Sequence, residues 1–165
     1  MTRARLLLLL VATAAAASAA TFVAIEVSAD EAVATGGTVR RFRSEVLGEE
    51  REVIVHLPEG YEQEPERNYP VLYVLDGASQ AGHTAESAAL LARVGVVEPM
   101  IVIGVSSLDG ERRNRDYTPP DQRQDADDAA SPKGAADRFL RHLETELVPR
   151  GERDYRTARP RILAG

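Results

Sequence analysis

Between Glu52 and Leu57, Val53, Val55 and Leu57 alternate with Glu52, Ile54 and His56. A period of two is expected of a strand with one buried face, and it sets His56 on the outward side. Val39 to Leu47 is a weaker strand pattern that pairs with it as an antiparallel hairpin through Gly48-Glu49-Glu50. Pro58-Glu59-Gly60-Tyr61 breaks the second strand, and the charged stretch Glu62 to Asn68 reads as loop. Two unbroken apolar runs follow, Pro70 to Leu75 and Met100 to Val105. Parallel strands covered on both faces have this pattern. After the first run, Leu90, Leu91 and Val94 share one face of a helix starting near Thr84, with Gly95 and Pro99 as stop signals. After the second, Ser131-Pro132 reads as a cap and first-turn proline, and Ala136, Phe139, Leu140, Leu143 and Leu147 recur at helical spacing to about Val148. Arg161 to Ala164 reads as a third buried strand. Strand, helix, strand, helix, strand predicts right-handed crossovers onto a parallel sheet, hence an α/β fold with an antiparallel pair at its start.

The ends of the chain have a different character. Met1 to Ala19 carries Arg3 and Arg5, an apolar Leu6 to Val11 core, an alanine-rich run and Ala17-Ser18-Ala19, which matches a secretory signal peptide cleaved near Ala19. A membrane helix is the rival reading, disfavoured by the short apolar core. Residues 20–37 are small, polar and acidic, and read as a flexible tether, so the domain is placed at 38–165. The organisation expected is an exported protein, periplasmic or extracellular, with no stable membrane anchor after cleavage. Removing Arg3 and Arg5 from 20 basic and 26 acidic residues moves the net charge from −6 to −8. Nucleic acid is therefore not an expected partner. The absence of cysteine means that the core alone holds the fold, and thiolate zinc sites are excluded.

In open α/β sheets, ligands bind beyond the carboxyl ends of the strands. That directs attention to Asp76–Gly82, Ser106–Ala130 and the region at Gly165. Asp76-Gly77-Ala78 ends a strand, and its glycine would let an amide N–H point into a pocket as an oxyanion donor; a plain strand-ending turn is the alternative. Ser79, in Gly77-Ala78-Ser79-Gln80-Ala81, is one residue away from a G-x-S-x-G nucleophile elbow, with Ala81 where the last glycine belongs. A triad on Ser79 would need His142, which falls in mid-helix, so Ser79 reads better as a turn serine. His83 and His56 read as surface and structural residues, and three isolated histidines offer no metal spacing. The span Ser106 to Ala130 reads as a long loop, functional or mobile. At its base Arg112, Arg113, Arg115 and Asp116 would bind an anionic substrate group or neutralise one another, the second being preferred. Arg159-Pro160-Arg161-Ile162-Leu163-Ala164-Gly165 reads as a strand running into the first glycine of a nucleophile elbow, with the serine expected beyond Gly165.

With these residues in view, the chain resembles the esterase family of the α/β-hydrolase superfamily, which includes siderophore esterases, esterase D-like enzymes and mycolyltransferases. The likeness rests on Ser44 to Tyr61, Tyr69 to Gly77 (Y-P-V-L-Y-V-L-D-G), Ile103 to Pro119 with its R-x-R-D-Y-T-P, and Gly134 to Gly165. The resemblance implies a serine hydrolase of small-molecule carboxylic esters that needs no cofactor, with a siderophore ester as one possible substrate. It also implies that Ala78 supplies one oxyanion amide, beside Gly77, and that Asp76, Ser79, Arg113, Arg115 and Asp116 line the pocket. The family order of serine, acid and histidine places all three after the fifth main strand, so this chain is expected to be an N-terminal fragment, poorly soluble and inactive on its own. A non-catalytic ligand-binding module of the same fold is the second hypothesis. A minimal hydrolase using Ser79 is the third.

Overall fold

The structure is a computed structural model that describes residues 31–32, 36–125 and 130–165. The expected signal peptide lies outside the described residues. Six strands form one sheet: β1 (Glu31–Ala32), β2 (Thr38–Ser44), β3 (Glu49–His56), β4 (Tyr69–Leu75), β5 (Ile101–Ser106) and β6 (Thr157–Ala164), in the order β1-β2-β3-β5-β4-β6. The first three pair antiparallel, β3 is antiparallel to β5, and β4 is parallel to both β5 and β6. This is the α/β arrangement expected, an antiparallel hairpin leading into parallel strands. Within the stretch read as tether, Glu31 and Ala32 pair with Val39 and Thr38.

Helices cover both faces. Helix α1 (Gly77–Arg93) packs on one face, with Val39, Ile54 and Ala81 buried together. On the other face lie α3 (Ala136–His142), a wide π-helical turn (Leu143–Leu147) and α4 (Val148–Asp154). Phe139, Leu143 and Leu147 there meet Val53, Val55, Tyr73 and Ile103 in the main core. Residues 53–56 of β3 are therefore buried on both faces, and His56, expected to point outward, is 7% exposed. Helix α1 can sit this close because β5 presents a glycine: a Cβ on Gly104 would lie 2.5 Å from the Ala81 Cβ, and one on Gly77 would lie 2.3 Å from the Gly104 carbonyl carbon. The π-helical turn has a local cause. Pro149 has no N–H to continue an α-helical ladder and its ring crowds the preceding turn; the Val148 N–H instead reaches the Leu143 carbonyl, widening the helix just before the proline.

Three expectations about helices are corrected. Helix α1 begins at Gly77 rather than Thr84, directly at the end of β4. The long span after β5 contains a helix, α2 (Gly110–Tyr117), capped by Asp109, whose side chain accepts from the Arg112 amide at 2.7 Å. Ser131-Pro132 does not open a helix: the amides of Gly134, Ala135 and Ala136 are taken by the carbonyls of Gln122, Arg115 and Thr118, and Gly134 lies against Thr118. Helix α3 starts only beyond those contacts, at Ala136.

Candidate active site

The parallel strands β4, β5 and β6 all deliver the chain to one edge of the sheet. Because β3 runs opposite to β5, with Glu52 beside Ser106, the start of β3 reaches that same edge. Asp76–Ala78, the α2 segment, Glu49, Arg51 and Gly165 therefore belong to one side of the molecule. Gly165 follows β6 closely against Leu75, where a Cβ would lie 2.8 Å from Leu75 Cδ1.

Asp76 is the hinge between β4 and α1. It is the one non-glycine residue with positive φ among the described residues (φ 53°, ψ 41°), a left-handed conformation that costs about 1–3 kcal/mol unless its surroundings hold it. They do so at every polar group. Arg113 Nε and NH2 donate to the two carboxylate oxygens at 2.8 and 2.9 Å. The Asp76 amide donates to Tyr117 Oη at 3.2 Å, and its carbonyl accepts from the amides of Ser79 and Gln80, each at 3.0 Å. Arg113 also lies over the Tyr117 ring, 5.0 Å from its centroid. The fork from Arg113 holds the Asp76 carboxyl below its ordinary pKa despite partial burial. Since the first helical hydrogen bonds start from Ser79, the amides of Gly77 and Ala78 precede the ladder of α1. Gly77 is buried and Ala78 exposed.

A second cluster lies beside the first. Arg51, 1% exposed, donates from NH1 to Asp116 Oδ2 at 2.8 Å and to Glu49 Oε1 at 3.0 Å. Arg115 grips Glu49 through two hydrogen bonds of 2.7 and 3.0 Å and also donates to Asp116 at 2.9 Å. These hydrogen bonds, Arg115 first, bring Glu49 down to about 2 and raise Arg115 above its ordinary value. The cluster is self-neutralising, and it bolts α2 to the start of β3. Arg112 Nε lies 3.5 Å from Asp109 and 3.8 Å from Glu49. A polar cavity of about 520 Å³ opens beside it, bordered by Asp109, Arg112, Arg115 and Gln124.

The sequence candidates divide accordingly. Asp76, Gly77, Ala78 and Arg113 come together in one turn, whereas Arg115 and Asp116 face β3. Ser79 is exposed, and its hydroxyl donates to the Asp76 carbonyl at 3.1 Å as part of the local turn. Pattern reading passed over Glu49, Arg51 and Tyr117. It also passed over a buried group on the α3 face in which Ser44 Oγ donates to Glu146 Oε2 at 2.5 Å and His142 Nδ1 lies 2.7 Å from the same oxygen. The carboxylate stands between the serine and the histidine, so the imidazole cannot take the hydroxyl proton, and this order is unlike that of a catalytic triad. Glu146 also accepts from the amides of Glu45 and Val46, at 2.8 and 2.9 Å. Burial opposes its ionisation, but the bonds from Ser44, His142 and the Val46 amide prevail and bring it to about 2. Burial keeps His142 below its ordinary pKa, partly offset by the hydrogen bond to Glu146. His56 lines a separate cavity of about 220 Å³ under α1, away from the strand ends that carry the Asp76 turn. Burial lowers its pKa as well. All three histidines are described, and no imidazole among them bonds to a serine hydroxyl; the Ser87 hydroxyl donates to the His83 backbone carbonyl at 2.8 Å. Among the described residues, no cluster of His, Cys, Asp and Glu could hold a metal, and no helix is long and apolar enough to cross a membrane.

Sheet order, crossovers and the glycine turn at the end of β4 define an α/β-hydrolase-type scaffold. The family described as "Putative esterase" matches residues 44–165, and the chain belongs to it. It is 30% identical over 110 residues to the ferri-bacillibactin esterase BesA of Bacillus subtilis (strain 168), an alignment covering 59% of this chain and 38% of BesA. An IroE-like serine hydrolase from Shewanella oneidensis superposes with a TM-score of 0.66 at 34% identity, covering 78% of this chain and 42% of that one. The BES protein of Bacillus cereus shares the fold with a TM-score of 0.65 at 24% identity, covering 84% of this chain and 56% of its own. The chain thus spans about two fifths to just over half the length of these relatives.

Proposed function

We propose that these residues form the N-terminal part of an exported serine ester hydrolase and supply one side of its oxyanion hole. The observation that carries this reading is the Asp76 turn, which leaves the Gly77 and Ala78 amides outside the α1 ladder on the edge where β6 ends at Gly165. In this mechanism, a serine on the elbow opened by Gly165 attacks the ester carbonyl, and a histidine takes its proton. The resulting oxyanion accepts hydrogen bonds from the Ala78 amide and from the amide of the residue after the serine. One such donor contributes about 2.7–4 kcal/mol to the transition state. Serine, acid and histidine would then belong to the whole protein outside these 165 residues, a placement supported by the chain's spanning only 38% of BesA and 56% of the Bacillus cereus protein. The substrate we propose is a siderophore ester, the class named in BesA, and export through residues 1–19 would bring the enzyme to such ligands in the periplasm or medium.

A fluorophosphonate probe tests the reading. In the whole protein the label should fall on the serine two positions after Gly165, with hydrolysis of nitrophenyl acetate lost in step. The 165-residue chain should take no label. Label on Ser79, or ester hydrolysis by the 165-residue chain, overturns it. A non-catalytic binding module is the second reading, favoured by the cavity bordered by Asp109, Arg112, Arg115 and Gln124 beside α2; stable secretion of the chain with ligand binding but no labelling of the whole protein would select it.

A further inference from the structure

Helix α2 is fastened twice, and the two fastenings do different things. Arg115 and Asp116 fix it to β3 through Glu49 and the buried Arg51. Arg113 and Tyr117, four residues apart on the same short helix, reach instead to Asp76. The first fastening contains the buried Arg51–Asp116 pair and makes no contact with Asp76. The second acts on a residue whose backbone is left-handed without being glycine, and it engages both the carboxylate and the amide of that residue. Arg113 is half-exposed, so it buries little surface that packing would miss. Tyr117 also packs its ring on Phe139, but its hydroxyl and the Arg113 fork converge on the one strained residue, directly before two amides outside the helical ladder, and there they serve the turn.

From this we infer that Arg113 and Tyr117 are positioning residues: acting through Asp76, they hold the Gly77–Ala78 amides in the orientation an oxyanion requires. The inference rests on the ester-hydrolase reading. It differs from substrate binding by Arg113, because the Nε and one Nη of the guanidinium are already engaged by the Asp76 carboxylate. Displacing an oxyanion donor rather than deleting it lowers the chemical step while leaving ground-state binding intact.

The experiment is steady-state ester hydrolysis by the whole protein, with urea unfolding of each variant as control. Arg113→Gln is expected to lower kcat by about 10- to 100-fold with KM changed less than about threefold and the unfolding midpoint nearly unchanged. Arg113→Lys, which keeps the charge without the planar fork, should fall between, and Tyr117→Phe should lower kcat in the same sense. Glycine adopts the left-handed conformation without strain, so D76G removes the need for the clamp. The double variant D76G/R113Q should then be no slower than D76G alone. Wild-type kcat in R113Q, a KM effect in place of a kcat effect, or an additive loss in the double variant overturns the inference while leaving the esterase reading intact. A wild-type whole protein with neither hydrolysis nor phosphonate labelling overturns both.

Discussion

Asp116 shows how much can depend on one side chain closed off from solvent. It is 1% exposed and accepts hydrogen bonds from both Arg51 and Arg115. Replacing it with alanine would leave the Arg51 guanidinium buried with only Glu49 as counter-charge, and removing one partner of a buried pair typically destabilises by about 3–5 kcal/mol. Asp116→Ala should therefore lower stability by that order in urea titration, whereas Arg113→Gln should barely change it. Glu146 makes a different prediction, one of pH. Its folded pKa is about 2 against an ordinary 4.5, so its contribution is complete above pH 4.5 and is lost as pH falls from there toward 2. Equilibrium unfolding of Glu146→Gln followed from pH 6 to pH 2 should show a flatter acid limb than the parent. The parent's own limb will remain partly sloped in the variant, because Glu49 titrates in the same window.

At the scale of elements, the contact of α1 with β5 is set by missing side chains. A methyl group on Gly104 would have to occupy the place of the Ala81 Cβ, so Gly104→Ala should push α1 off the sheet and cost about 1–3 kcal/mol or more, readable as a lowered midpoint of thermal unfolding. β4 and β5 were plain in the sequence because both of their faces are apolar, and the hairpin was legible from its alternation and the turn at Gly48. Helix α2 was not, since Gly110-Glu-Arg-Arg-Asn-Arg-Asp-Tyr117 offers no apolar stripe. Its helicity depends on an Asp109 cap and on ion pairs to residues 37 to 66 positions away, which no local pattern encodes. The cap was the signal available. For the site, the Asp76-Gly77-Ala78 turn is visible as a strand ending on glycine, but its clamp is hidden, because which of four neighbouring charges faces Asp76 depends on the rotation of a helix that carries no apolar stripe.

Among the described residues one edge of the sheet is open, although Arg161 to Ala164 reads in the sequence as a buried strand. β6 is the last strand of the sheet, exposed along most of its length, with Ile162 42% and Leu163 53% exposed and an apolar cavity of about 420 Å³ between it and the α3 face. Unpaired apolar edges template further strand pairing. The 165-residue chain should accordingly sediment as a concentration-dependent oligomer, and the double substitution Ile162→Lys, Leu163→Lys should shift it toward monomer; unchanged monomeric sedimentation of the parent would contradict this. A further consequence follows from the carboxylate that gathers Ser44, Glu45 and Val46. Its bond to Ser44 spans 102 positions. During synthesis at about 5–20 residues per second, the first hairpin would emerge about 5–20 seconds before the residue that anchors its turn. The beginning of this protein must wait, half-made, for a part of itself not yet translated.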